Sequence, residues 1–164
     1  MKRIVYTKSG PPEVMQIVEV EDLEAANNEV VIDVHRAGIN FADLLMRLGL
    51  YRPMPEMPFT PGYEISGTIS KCGKNVEDFE VGDRVLALSQ VGGYAEQICV
   101  DTEHVFKISD KVSFDAAAAM PVTYLTAYHM LVHLGNIQKG DTVLIHSAAG
   151  GVGTAATQIA KSLG

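Results

Sequence analysis

The segment Ser147-Ala148-Ala149-Gly150-Gly151-Val152-Gly153 constrains the fold of this chain more than any other. Ahead of it, Thr142-Val143-Leu144-Ile145-His146 is a short apolar, β-branched run that reads as a buried parallel strand. Behind it, Val152, Ala155, Ala156, Ile159, Ala160 and Leu163 fall at the one-sided spacing of an amphipathic helix. Strand, glycine turn and helix in that order predict an α/β unit whose unpaired N–H groups and positive helix end face a pyrophosphate. Ala149, Gly150, Gly151, Val152 and Gly153 are then the phosphate-holding residues. Gly150 lets the backbone come close to the anion, and Gly153 lets the helix pack tightly on the strand. The competing reading is a plain turn with no ligand, and the flanking elements weigh against it.

The bulk composition excludes several classes. Formal net charge is −7 with no dense Lys/Arg block, so nothing supports nucleic-acid binding. No apolar run approaches the roughly 20 residues needed to span a bilayer, so no transmembrane segment is expected. Met1-Lys2-Arg3 is basic, but Ile4-Val5-Tyr6 gives way at once to polar residues, which is not a signal peptide. The hydrophobic fraction of 47% is enough for a packed core. Cys72 and Cys99 are too far apart for a CxxC motif and are expected as reduced, half-buried strand thiols, consistent with a cytoplasmic compartment.

Residues 1 to about 110 read as β-rich. Strands are expected at Lys2–Tyr6 and Met15–Val20 around the turn Ser9-Gly10-Pro11-Pro12. Val30, Ile32 and Val34 alternate with Val31, Asp33 and His35, and further strands are expected at Glu64–Lys71, Arg84–Leu88 and Tyr94–Val100. Asn40 opens a short helix with Leu44, Leu45 and Leu48 turned inward and Gly49 as its stop. Arg52 to Pro61 holds four prolines and is an irregular loop. Many short strands between glycine turns suggest a partly closed barrel. Helices follow at Ser113 to Ala119 and Val122 to Leu134, so the expected division is a first domain at 1–120 and a second at 121–164.

Several markers recur in order along the chain: Asn40-Phe41-Ala42-Asp43, Arg47-Leu48-Gly49-Leu50-Tyr51, Pro61-Gly62-Tyr63-Glu64, Val81-Gly82-Asp83-Arg84-Val85, Gly92-Gly93-Tyr94-Ala95-Glu96 and Thr123-Tyr124-Leu125-Thr126-Ala127-Tyr128. With the glycine turn, they make the chain resemble the zinc-free quinone oxidoreductases of the medium-chain dehydrogenase/reductase superfamily, VAT-1-like relatives included. The resemblance implies an α/β protein. A GroES-like β-barrel carries the substrate, followed by the first β-α unit of a doubly wound (Rossmann) domain, with the active site in the cleft between them. It also implies NADPH as cofactor, a small-molecule substrate, and reduction of quinones or α,β-unsaturated carbonyls by hydride transfer. A homodimer is compatible with it. Ala148 stands where a strict G-x-G-x-x-G would begin, a departure this family tolerates.

Zinc members of the superfamily carry Gly-His-Glu where this chain has Gly62-Tyr63-Glu64, and a cysteine ligand near Gly38-Ile39-Asn40. Their four closely spaced structural cysteines have no counterpart either. Five scattered histidines do not replace these ligands, and His129 and His133, though spaced i, i+4, lack a third ligand. The expected protein is metal-free.

Each candidate residue has two readings. Asn40 and Asp43 suit a helix N-cap and an acidic first turn, while the resemblance puts both near nicotinamide and substrate. Tyr51 is either an amphipathic tyrosine covering a loop or, by resemblance, a pocket phenol that hydrogen-bonds a substrate carbonyl or donates a proton. Tyr63 reads as packing. Thr126 either bonds back to a helical carbonyl or, by resemblance, lies by the nicotinamide carboxamide. His146 is expected buried and hydrogen-bonded.

A doubly wound domain needs several βα units and reads the adenosine half about 20 residues beyond the glycines. The chain is therefore expected to hold an incomplete nucleotide domain, to expose apolar surface over 121–164 and to bind dinucleotide poorly or not at all. The rival reading is a non-catalytic GroES-like module or fragment whose exposed edge recruits a partner or a second copy.

Overall fold

Seven short strands and four α-helices account for the regular structure of the computed structural model, which describes residues 1–164. Two compact units divide the chain, Met1–Ala119 and Met120–Gly164.

In the first unit, β1 (Lys2–Tyr6) and β2 (Met15–Glu19) form an antiparallel hairpin. A five-stranded antiparallel sheet has the order β6 (Gln97–Asp101), β3 (Glu29–Ala37), β4 (Glu64–Cys72), β5 (Arg84–Leu88), β7 (Val105–Lys107). Register shifts between Val31 and Ile32 and between Val34 and Arg36 interrupt the β3–β4 ladder, the irregularity that bends a strand and increases its twist. Isolated bridges Arg3–Ala95 and Tyr6–Phe59 tie the hairpin to the sheet's loops. The result is the partly closed antiparallel barrel that the strand spacing suggests. Its core is Val30, Ile32, Ile65, Ile69, Val85, Ala87, Ile98, Val100 and Val105. Val31 is fully buried as well, although alternation sets it on the other face; it lies at the first register shift. Cys72 and Cys99 are free, half-buried strand residues.

Helix α1 spans Phe41–Arg47 with Asn40 as N-cap. Its inward face differs from the expected leucine face: Asp43 and Met46 are buried, whereas Leu44 and Leu48 are exposed. The rotation is set by hydrogen bonds to the Asp43 carboxylate, which outweigh a leucine stripe on a helix of seven residues. Helix α2 (Phe114–Ala119) packs its alanines on the sheet, and the Ser66 hydroxyl donates to the Phe114 carbonyl at 2.6 Å.

In the second unit, α3 (Pro121–Tyr128) begins with proline at its first position and continues as π-helical turns over His129–Leu134. Helix α4 spans Gly151–Leu163. Ala127, Ala155 and Ala156 form the seam between α3 and α4, flanked by Tyr124, Leu131, Ile145, Val152 and Ile159. The expected strand Thr142–His146 is not a strand: residues 141–145 carry no ladder, Leu144 is 82% exposed, and His146 is exposed rather than buried. A parallel strand is buried only by neighbours on both sides, and this unit supplies none. The apolar surface expected over 121–164 is present, with Leu125, Met130, Leu134 and Leu144 all exposed.

Candidate active site

The Asn40 cap fixes the first part of the site. Its backbone N–H donates to Oδ2 of Asp43 at 2.8 Å, which satisfies an otherwise orphaned helix-start donor. Asp43 is 1% exposed. Its Oδ2 also accepts from the Tyr94 hydroxyl at 2.8 Å, and its Oδ1 accepts from the Gly62 N–H at 3.3 Å. Gly62 has φ +103, and a Cβ there would strike the Tyr94 ring and backbone, so only glycine brings this N–H to the carboxylate. The Tyr6 hydroxyl donates to the Asp43 carbonyl at 3.4 Å. A buried carboxylate holding three donors acts as a clamp between α1, the Pro61-Gly62 turn and the Tyr94 loop.

The Asn40 side chain reaches the other way, donating from Nδ2 to Oε1 of Glu64 at 2.8 Å. Glu64 is 2% exposed at the start of β4, and its backbone carbonyl accepts from the Gly38 N–H at 3.0 Å. Sequence reasoning passed over Glu64 as a functional side chain. The available signal was an acidic residue directly after Pro61-Gly62-Tyr63, opening a strand whose next six residues are apolar or small.

Met46, one turn beyond Asp43 on the same buried face, joins this clamp to a cavity of about 580 Å³. Tyr51, Tyr63, Met54, Pro53, Pro55 and Val91 line the cavity with it, and Gln90 lies at its edge. Tyr51 follows the left-handed turn at Gly49, and Tyr63 precedes β4 with its carbonyl held by the Ser89 N–H at 2.8 Å. The Tyr63 hydroxyl donates to Sδ of Met46 at 3.7 Å. Burial, then the neighbouring Tyr51 hydroxyl, push the Tyr63 phenol up to about 12. Tyr63 is thus a polar wall of the cavity and not packing alone. Asn40 and Asp43 do not line it; Asp43 borders a separate apolar cavity of about 540 Å³ with Ile4, Tyr6, Met15, Leu44 and Tyr94.

The second unit holds the glycine turn. Ser147 takes a left-handed φ of +54, and the Gly150 N–H returns to its carbonyl at 2.9 Å. Gly150 is the extended N-cap of α4, and the Thr154 N–H reaches the Gly150 carbonyl at 2.7 Å. A Cβ on Gly153 would collide with the Ser147 carbonyl and the Ala148 backbone. Ala149, Gly150 and Gly151 are exposed, Val152 is half-buried, and Gly153 is buried. The N–H groups of the first turn of a 13-residue helix therefore open on bare backbone, which suits a phosphate. Thr126 is exposed on α3, and the hydroxyl that bonds back to a carbonyl is that of Thr123, to Met120 at 3.2 Å.

No group of three or more His, Cys, Asp or Glu side chains converges to hold a metal ion. No helix is long and apolar enough to cross a membrane.

A family model for the alcohol dehydrogenase GroES-like domain matches residues 26–110. The synaptic vesicle membrane protein VAT-1 homolog of Danio rerio is 47% identical over 137 residues, covering 84% of this chain and 28% of that protein. The crystal structure of Escherichia coli quinone oxidoreductase complexed with NADPH superposes with a TM-score of 0.93 at 38% identity, covering 100% of this chain and 50% of that one. The CurK enoyl reductase structure gives a TM-score of 0.93 at 36% identity, covering 99% of this chain and 52% of that one. The chain thus spans about half, or less, of the length of the proteins it matches.

Proposed function

The chain belongs to the GroES-like alcohol dehydrogenase family, in the quinone-oxidoreductase-like branch of the medium-chain dehydrogenase/reductase superfamily, and on that premise we propose that it serves NADPH-dependent, zinc-independent reduction of quinones or α,β-unsaturated carbonyls. The observation that carries this reading is the cavity walled by Tyr51, Tyr63, Met46 and Met54. Its surface is apolar apart from phenols and one amide, which suits a flat carbonyl compound.

The fit to the dinucleotide rests on the open first turn of α4 and the bare Gly150-Gly151 backbone, where Ala149, Gly150, Gly151, Val152 and Gly153 would hold the pyrophosphate. Bound there, NADPH would supply the hydride. Thr126 is the proposed carboxamide contact. In quinone reduction the ring takes up that hydride and one solvent proton to give the hydroquinone; in enone reduction the hydride goes to Cβ and the proton to Cα. Tyr51 donates a hydrogen bond to the carbonyl oxygen, on which negative charge develops. Asn40, held by Glu64, is the second candidate donor, and Asp43 keeps the α1 start in place. A tyrosine at position 63 where the zinc enzymes carry histidine supports a mechanism in which phenols take the place of a metal. The reading implies a small-molecule substrate and a cytoplasmic setting, and leaves room for a homodimer.

The test is NADPH consumption with a naphthoquinone and with an enone, alongside metal analysis. Tyr51→Phe is expected to lower kcat/KM by about 100- to 1,000-fold, in line with loss of one oxyanion donor. Unchanged turnover, or stoichiometric zinc, would sink the reading. A second reading, an interaction module, is favoured by the exposed Leu125, Leu134 and Leu144. It predicts self-association by sedimentation and no turnover.

A further inference from the structure

Tyr63 and Tyr51 enter the same cavity from supports of different kinds. Tyr63 is fixed at the head of β4, in the middle of the five-stranded sheet, with its backbone bonded to Ser89. Tyr51 stands at the start of the proline loop, beyond the Gly49 turn. Both rings pack on the cluster of Tyr6, Met46 and Phe59. The Tyr63 hydroxyl spends its proton on a thioether, a weak acceptor, at 3.7 Å. That bond costs little to give up.

We propose that Tyr63 is a positioning residue for Tyr51, donating its hydroxyl proton to the Tyr51 phenol oxygen while Tyr51 donates its own to the substrate carbonyl. The inference rests on the reading of Tyr51 as the carbonyl's donor. Two phenols in series polarise one another, so the bond to the carbonyl strengthens as charge grows on it. The sheet-borne ring also limits where the loop-borne hydroxyl can point. Burial and its neighbours keep the Tyr63 phenol protonated across the working pH range, so its proton is there to donate.

The experiment compares Tyr63→Phe, Tyr51→Phe and the double variant in two ways. The first is ¹³Cζ-tyrosine NMR of the 164-residue chain with a naphthoquinone present in excess, which needs no turnover. Tyr63→Phe is expected to shift the Tyr51 Cζ resonance, and Tyr51→Phe to lower the titration midpoint of Tyr63 from about 12. The second is the reductase assay, in which Tyr63→Phe lowers kcat by about three- to tenfold, the range of one hydrogen bond, with KM within about twofold. In the Tyr51→Phe background, Tyr63→Phe then has no further effect. An unmoved Tyr51 resonance overturns the pairing. An equal loss from Tyr63→Phe in both backgrounds reduces Tyr63 to packing and overturns the inference as well. No loss from Tyr51→Phe overturns the underlying reading of the donor, while the spectra still decide whether the phenols are paired.

Discussion

The Tyr94 hydroxyl donates to Oδ2 of Asp43 at 2.8 Å, joining the loop before β6 to the first turn of α1. Removing that hydroxyl while keeping the ring isolates one charge-assisted bond. Tyr94→Phe is expected to lower unfolding free energy by about 1.5–3 kcal/mol in urea titration, with the m-value unchanged. Asp43→Ala strands three buried donors at once and should cost about 3–5 kcal/mol. A neutral Asp43→Ala would show that the clamp contributes nothing.

Stability should fall in alkali, for a reason visible in the same region. Burial raises the phenols of Tyr6, Tyr63 and Tyr94, Tyr94 the most, with Asp43 adding to each. The folded chain then holds these protons more tightly than the unfolded chain, in which tyrosine titrates near 10.0. Their stabilising contribution is complete below that pH and is lost as pH rises through the folded values. Cys72 and Cys99, also raised by burial, act in the same sense from a lower starting point of 9.0. Thermal midpoints measured from pH 8 upward should decline beyond about 9, and Tyr94→Phe should flatten the part of the slope above about 10. A wild-type profile that stays level to pH 11 contradicts this.

At the acid end the sign reverses. Lys107 Nζ lies 2.8 Å from Oδ2 of Asp83, which also accepts the Glu80 N–H at 2.9 Å, and together they hold the Asp83 carboxyl below its usual value. That stabilisation is present above the unfolded value of 3.8 and is lost as pH falls through the folded one. Lys107 is 51% exposed, so salt and water screen the pair and the effect is small. Asp83→Asn should remove the corresponding step from an acid stability profile and lessen its salt dependence, as followed by circular dichroism. An identical profile in wild type and variant would refute the assignment.

Much of the fold was legible because local rules and tertiary packing agree there. β1 and β5 fall on the expected residues, and the Asn40 cap follows from capping chemistry. The inward face of α1 was not legible. Three leucines suggest one rotation, and a carboxylate whose partners lie at Gly62 and Tyr94, 19 and 51 residues away, imposes another. Thr142–His146 shows the complementary limit: its β-branched composition is a statement about neighbours, and without them it forms no ladder. Tyr51 could be singled out from its motif, whereas the cavity it shares with Tyr63 and the burial of Glu64 depend on where the proline loop runs, which propensity rules do not describe.

Gly153 offers a test of why the glycine turn has its form. A methyl group there meets the Ser147 carbonyl and the Ala148 backbone, neither of which can move aside by changing a rotamer. Gly150 is different: its φ of −76 and ψ of 169 suit any residue, and its nearest obstacle is the Ser147 carbonyl at 3.3 Å. Gly153→Ala should therefore destabilise the α3–α4 pair by about 1–3 kcal/mol, the usual cost of overpacking. Gly150→Ala should leave it nearly intact while crowding the backbone on which the phosphate is proposed to rest. Hydrogen exchange of amides 152–163 separates the two, because only Gly153→Ala should lose protection along α4. Equal protection in both variants would mean that close packing is not what position 153 requires.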